Sequence, residues 1–294
     1  MPANAERITK GFAGRTQAGD MYVFPFTSDD FHNIRKLIYR VAGISLAPSK
    51  HDLVYSRLAR RLRNRNINSF AEYIRLVESG DAVEMEAFVN ALTTNMTSFF
   101  REAHHFPILA RHLATLPPRK PISIWSCASS SGEEPYSIAM TAVEHFNSFD
   151  NPVRILATDI DTNVLEKAKR GVYPLDQLNK LSPERLKRFF LKGAGKNAGF
   201  AKVRPELQQM VTFMRFNLLD DHWSLHGQYD AVFCRNVMIY FDKETQYRVL
   251  QKIQPRLHAH GLLFAGHSES FYHASDLFKV CGKTVYAPNH SQKA

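Results

Sequence analysis

From residue 118 onward the chain alternates short strand-like apolar runs with helix-like stretches, and this alternation restricts the fold more than any other feature of its 294 residues. Ile122–Cys127, Val153–Thr158, Tyr229–Cys234 and Leu262–Ala265 read as buried strands, and Glu133–Phe146, Asn163–Arg170 and Lys243–Ile253 read as helices between them. A helix between consecutive strands implies parallel pairing, so the expected architecture is a doubly wound, Rossmann-like α/β sheet covered on both faces. Val280–Ala287 is expected to add a final antiparallel edge strand. In sheets of this kind the ligand lies at the C-terminal ends of the strands.

The residues at those ends are informative. The first strand runs into Ala128-Ser129-Ser130-Ser131-Gly132-Glu133-Glu134-Pro135. Small residues and a glycine let a ligand approach the backbone, and Pro135 suits a first helical turn. The pattern is not GxGxxG, and Glu133 and Glu134 stand where a dinucleotide would place its pyrophosphate. Two carboxylates there repel phosphate and attract an ammonium or sulfonium. Asp159 ends the second strand, placed for ribose hydroxyls. A positively charged, phosphate-free nucleoside such as S-adenosylmethionine satisfies all three. Stabilisation of a helix start would account for Glu133 and Glu134 alone, but not for their coincidence with Asp159.

The segment before Pro117-Pro118 has a different character. Four amphipathic stretches, starting at Ser28-Asp29, about His51, Ser69 and about Ala82, describe a small helical domain that ends near residue 93. Ser69-Phe70-Ala71-Glu72 has the form of a capping box. Residues 35–65 hold nine Lys/Arg against the single acid Asp52, within a chain of net charge +10. At 100° per residue Arg57, Arg60 and Arg63 share the side of their helix opposite Val54, Leu58 and Leu62. A solvated face usually mixes signs, so a one-signed patch points to an anionic partner: nucleic acid, a membrane surface or an acidic helix.

Hydrophobic residues at 44% and charged residues at 22% are ordinary for a globular chain and exclude a disordered one. The apolar runs are too short to span a bilayer, and the first 21 residues lack a signal-peptide core. Cys127, Cys234 and Cys281 are widely spaced, which fits a reducing compartment. His222 and His226 read as loop histidines, and no metal is expected.

Five segments, in order, then match a known pattern. They are Ala91-Leu92-Thr93-Thr94-Asn95-Met96-Thr97-Ser98-Phe99-Phe100-Arg101-Glu102, Ser131-Gly132-Glu133-Glu134-Pro135-Tyr136-Ser137, Ala157-Thr158-Asp159-Ile160-Asp161, Cys234-Arg235-Asn236-Val237-Met238-Ile239-Tyr240-Phe241-Asp242 and Gly266-His267-Ser268-Glu269. With them the chain resembles the chemotaxis receptor glutamate methyltransferases, the CheR family. The resemblance implies a small all-α N-terminal domain (22–93), after a disordered tail (1–21). A linker and cleft helix (94–117) would lead to an S-adenosylmethionine-dependent methyltransferase domain (118–294), with an inserted antiparallel β-subdomain at about 172–216. Departures are small: Ser131 stands where the family often has Thr.

The same resemblance implies roles. Asn95, Thr97 and Arg101 would contact the donor, Glu134 its amino group and Asp159 its ribose. Asn217 and Leu218 would flank adenine, and Arg235 and Asn236 would complete the site. S-adenosyl-L-methionine would leave as S-adenosyl-L-homocysteine. Arg101 and Tyr240 are cast as catalytic orienting groups, Arg101 steering the glutamate and Tyr240 shaping the methyl pocket; Tyr240 as core and Arg101 as a donor contact is the plainer alternative. Arg57, Arg60 and Arg63 would dock the acidic helix of the cytoplasmic receptor domain. In some family members the β-subdomain grips the receptor's C-terminal peptide; simple cover for the sheet edge is the alternative. Amine-directed enzymes often carry Asn/Asp-Pro-Pro-aromatic after the fourth strand, where this chain has Arg235-Asn236-Val237-Met238. This argues against a base-methylating enzyme; the basic helix keeps a nucleic-acid methyltransferase as the secondary reading, and a non-catalytic donor-binding adaptor is the third. The expectation is a cytoplasmic enzyme with neither a nucleic-acid partner nor membrane insertion.

Overall fold

The computed structural model describes residues 24–117 and 120–289, so the expected N-terminal tail lies outside the described residues. By internal contacts the chain forms two compact units. One takes the chain up to Arg40 and then Leu46–Leu92; the other takes Val41–Ser45 and everything from Thr93.

The first unit contains helices α1 (Ser28–Ala42), α2 (His51–Arg65), α3 (Phe70–Glu78) and α4 (Ala82–Leu92). The Ser69 hydroxyl accepts the Glu72 N–H at the start of α3, as the capping box requires. Asn66, left-handed at φ 54°, closes α2. Ile34, Val54, Leu58, Leu62, Phe70 and Phe88 fill the core.

The basic stretch is less one-signed than its sequence implies. Glu84, with 0% exposure, accepts from Arg61 Nε and Nη2 at 3.0 and 2.7 Å and from Tyr73 Oη at 2.7 Å, with Arg65 Nε 2.8 Å away. Arg40 pairs with Glu78. Acids from α3 and α4 therefore neutralise three of the cations. Arg57 is half-buried, with its Nη1 donating to the Ala91 carbonyl at 3.4 Å, while Arg60 and Arg63 are exposed.

The second unit begins with α5 (His105–Thr115) and continues through β1 (Ile122–Cys127), α6 (Glu133–Phe146), β2 (Val153–Asp159) and α7 (Thr162–Arg170). Next come β3 (Val172–Pro174), α8 (Pro183–Phe189), β4 (Phe190–Lys192), β5 (Phe200–Val203) and the short α9 (Pro205–Gln208). It ends with β6 (Val211–Arg215), β7 (Tyr229–Cys234), α10 (Lys243–Ile253), β8 (Leu257–Ala265), β9 (Phe278–Gly282) and β10 (Val285–Pro288). The main sheet has the order β6-β2-β1-β7-β8-β10-β9, and its first five strands are parallel. One apolar cluster gathers α5, α6 and residues of the insert, and a second gathers α10 and the segments after β6 and β8.

Two expectations need correction. Val211–Arg215 is not part of the insert: β6 pairs with β2 as an edge of the main sheet, and the antiparallel sheet of order β3-β5-β4 spans only Val172–Val203. The C-terminal segment is a hairpin turned at Lys283-Thr284, and its second strand, β10, lies inside the sheet between β8 and β9.

Candidate functional site

β2, β1 and β7 are parallel neighbours, so their chains leave the sheet along one edge. Backbone strain concentrates there. Ala128, Ser130 and Asn236 on the departing loops, and Phe100 and Glu102 on the linker, have φ between 50 and 59°. Non-glycine residues hold such conformations where the surroundings over-determine them, which is typical of binding sites. Gly132 (φ 100°) starts α6, and a Cβ there would lie 2.8 Å from the Tyr173 hydroxyl and 2.9 Å from Ala168 Cβ.

Asp159 orders the β1 loop. Its carboxylate accepts the Ser130 N–H at 2.8 Å and the Asp161 N–H at 2.9 Å, and burial pushes its carboxyl up to about 6. Asp161 caps α7 and also accepts from Thr93 Oγ1 at 2.6 Å and Asn95 Nδ2 at 2.7 Å. Ser130 Oγ donates to the Asn95 carbonyl at 3.0 Å. The linker is thereby tied to the ends of β1 and β2.

The adjacent glutamates part company. Glu134 accepts from Ser126 Oγ at 2.8 Å and from Arg235 Nη1 at 2.9 Å. Burial pushes its carboxyl up, against the pull of Arg235. Glu133 instead accepts from Ser131 Oγ and helps line a groove of about 660 Å³. Asn95, Thr97, Lys167 and Arg170 also line that groove.

Arg235 is the hub of the opposite wall. Its Nη2 donates to the Arg101 carbonyl at 2.5 Å and lies 3.3 Å from Glu102 Oε2. Burial opposes the charge on Glu102, but the His267 N–H, Arg235 and the Asn236 amide outweigh it and hold that carboxyl below its usual range. Arg101 is half-buried and donates from Nη1 to the Met96 carbonyl at 2.7 Å. Tyr240 is half-buried, and its carbonyl accepts the Ser45 N–H at 2.9 Å.

Asn217 follows β6, but its side chain is already engaged: Nδ2 donates to the Val41 carbonyl at 3.0 Å and Oδ1 accepts the Leu219 N–H at 3.1 Å. Leu218 is buried in the second apolar cluster. Glu102, Ser126 and Asp161 join this hydrogen-bond network, and sequence reasoning missed them. Glu102 and Asp161 lie inside matched segments, whereas Ser126 carried no signal beyond its place in a strand. Glu102, His104 and His105 bring ligand-type atoms within 4.8 Å of one another. Arg235 already faces that carboxylate, and a neighbouring guanidinium disfavours a cation there.

The profile described as "CheR methyltransferase, all-alpha domain" matches residues 29–93, and "CheR methyltransferase, SAM binding domain" matches residues 95–287. The chain belongs to the CheR methyltransferase family. Chemotaxis protein methyltransferase 2 of Pseudomonas aeruginosa is 55% identical over 90% of this chain and 95% of its own length. The chemotaxis protein methyltransferases of Klebsiella aerogenes and Escherichia coli are 50% and 48% identical, over 89% and 87% of this chain and 90% of each relative.

This CheR chain is therefore an S-adenosylmethionine-dependent methyltransferase, and the strand-end residues fit that donor. The largely enclosed Glu134 carboxylate and the buried Arg235 guanidinium stand side by side, and such a pair can take a zwitterionic amino-acid head. Arg235 Nε and Ser129 Oγ are buried without a hydrogen-bond partner, and a bound ligand can satisfy both. Among the described residues no helix is long and apolar enough to cross a membrane.

Proposed function

We propose that this protein forms methyl esters on glutamate side chains in the cytoplasmic helical domain of chemotaxis receptors, for sensory adaptation. The observation that carries the residue assignment is the Arg235–Glu134 pair at the joined ends of β7 and β1. In this reading Glu134 takes the donor ammonium, Arg235 the carboxylate through its spare N–H, and Asp159 the ribose through its remaining lone pairs. Asn236 completes this wall. Thr97 and Asn95 act from the linker, Asn95 through Asp161 and its own carbonyl. With the Asn217 amide occupied, adenine is read by the backbone at 217–218 and by Leu218.

The donor supplies an electrophilic methyl on a sulfonium and departs as S-adenosyl-L-homocysteine. A glutamate has a reference pKa near 4.3, about three units below neutrality, so it arrives ionised and needs no general base. The protein must align that oxygen and exclude water. Neutralising the nucleophile too strongly would oppose transfer, so Arg101 steers it and Tyr240 shapes the methyl pocket. Arg57, Arg60 and Arg63 on α2 would meet the acidic receptor helix, with Arg60 and Arg63 the exposed members.

The nucleic-acid alternative rested on basic residues that α3 and α4 partly neutralise. The chemotaxis names of the relatives favour the receptor reading, in a cytoplasmic setting. Mass mapping of methyl groups after incubation with receptor-containing membranes tests it: esters on glutamate are expected, and methylated bases would overturn it. Glu134→Ala and Asp159→Ala should each weaken S-adenosylhomocysteine binding by about 1–3 kcal/mol in calorimetry. Unchanged affinity in both would remove this donor site.

A finer partner is the receptor's C-terminal peptide, added as a strand to the small sheet of order β3-β5-β4. Such a peptide should bind without donor, and deletion of residues 193–199 should abolish its binding while donor affinity survives. Equal binding by the deletion would leave the insert as cover for the sheet.

A further inference from the structure

The turn Gly266–Glu269 follows β8 at the sheet edge where β7 also ends, because these two strands are parallel neighbours. The loop after β7 carries Arg235, Asn236 and Tyr240, and its left-handed Asn236 (φ 59°) turns the backbone away from the strand ladder. Its N–H groups need other acceptors.

Glu269, itself buried, supplies them. One carboxylate oxygen accepts the N–H of Asn236 at 2.9 Å and of Gly266 at 2.5 Å, and the other accepts the Ile239 N–H at 3.3 Å. The turn is closed by the Glu269 N–H donating to the Gly266 carbonyl at 2.9 Å. A Cβ on Gly266 would lie 2.4 Å from Asn236 Nδ2 and 2.8 Å from both Asn236 N and Glu269 Oε2. Glycine is what allows the turn to close on the loop.

We propose that Glu269 is a positioning residue for methyl transfer: its carboxylate, seated against Gly266, fixes the Asn236–Tyr240 loop so that the methyl pocket is formed before the receptor glutamate enters. This rests on the reading of Asn236 and Tyr240 as site residues. An acceptor-only group with two oxygens can hold all three N–H groups at once. An amide offers one oxygen and turns its NH2 toward a backbone donor, so Glu269→Gln must break at least one of these bonds. Arg235 keeps its bond to Glu134 without Glu269. Asn236, and Glu102 through the His267 N–H, do lean on this turn, so donor binding should weaken slightly while the main defect falls on the transfer step.

The test uses the full-length protein as wild type, Glu269→Gln, Glu269→Asp and Gly266→Ala. Methyl incorporation into receptor-containing membranes gives kcat and KM, and calorimetry gives the S-adenosylhomocysteine Kd. In Glu269→Gln, kcat should fall at least tenfold with Kd within threefold of wild type, and Glu269→Asp, which keeps the charge, should recover part of the loss. Gly266→Ala pushes a Cβ against Asn236 and the Glu269 carboxylate and should show the same split, which keeps the test decisive where Glu269→Gln does not fold. A kcat within twofold of wild type in the folded variants overturns the proposal, as does a loss of kcat matched by an equal loss of donor affinity. A wild-type protein that transfers no methyl to receptor would overturn the functional reading first, and this proposal with it.

Discussion

The Asp159 carboxyl is pushed up to about 6 because burial penalises its charge more than the N–H groups of Asp161 and Ser130 relieve it. The folded value exceeds the ordinary one of 3.8, so the native state holds an extra proton between the two. Stability from this group is thus greatest in acid and declines as pH rises from about 4 to about 6. Donor binding should run the other way, because the ionised carboxylate is the better acceptor for ribose. S-adenosylhomocysteine affinity should fall below pH 6 by up to about tenfold per unit, and Asp159→Asn should flatten that profile; calorimetry from pH 5 to 8 is the check. Two thiols illustrate a different limit. Cys127 and Cys234, distant in sequence, are register partners on β1 and β7 and both are buried, with burial raising the Cys127 thiol well above its ordinary range. Only Cys281 is exposed. A maleimide should label one cysteine in the native protein and all three in denaturant, counted by intact mass. The wide sequence spacing gave no sign that two of the three would be neighbours.

At the scale of elements, α2 shows why a charge run misleads. Its arginines look unpartnered along the sequence, but Glu84, which answers Arg61 and Arg65, comes from α4. Removing a buried carboxylate leaves these cations uncompensated, so Glu84→Ala should cost about 2–4 kcal/mol, less than a fully buried pair because both guanidinium groups are partly exposed. Urea unfolding measures it, and a loss below about 1 kcal/mol would contradict this account. For Arg60 and Arg63, which are exposed, the proposed role is docking. Reversing both to Glu should lower receptor methylation at low salt, with a smaller difference at high salt and unchanged donor affinity. The helix and strand periods were readable, and so were Glu134 and Asp159 at or beyond the strand ends, whereas Arg235 came only with the family resemblance. Sheet membership was not: β6 and β10 have ordinary strand patterns, and only pairing with β2 and with β8 and β9 assigns their places. Local periodicity carries no information about such neighbours.

For the molecule as a whole, the two units are not consecutive in the chain. Val41–Ser45 belongs with the methyltransferase unit, held there by Asn217 Nδ2 on the Val41 carbonyl and by the Ser45 N–H on the Tyr240 carbonyl. Gly43 is left-handed at φ 67°, and a Cβ on it would lie 2.6 Å from Leu219 Cδ1 and 3.0 Å from Phe241. Gly43→Val should therefore destabilise the methyltransferase unit by about 1–3 kcal/mol and weaken S-adenosylhomocysteine binding through the 217–219 turn, although in sequence it only ends the first helix. A donor affinity equal to wild type would sink that link. A sequence can show Gly43 only as a helix stop, since its neighbours Leu219 and Phe241 lie 176 and 198 positions away. The crossing also bears on how such proteins can be recombined. Any single crossover between residues 46 and 92 takes Val41–Ser45 from one parent and the surface that receives it from the other. A chimaera of two relatives joined at the apparent domain boundary near residue 93 would inherit this mismatch. Viable exchange of the helical unit requires three junctions, after residues 40, 45 and 92, so that those five residues stay with their own recipient surface.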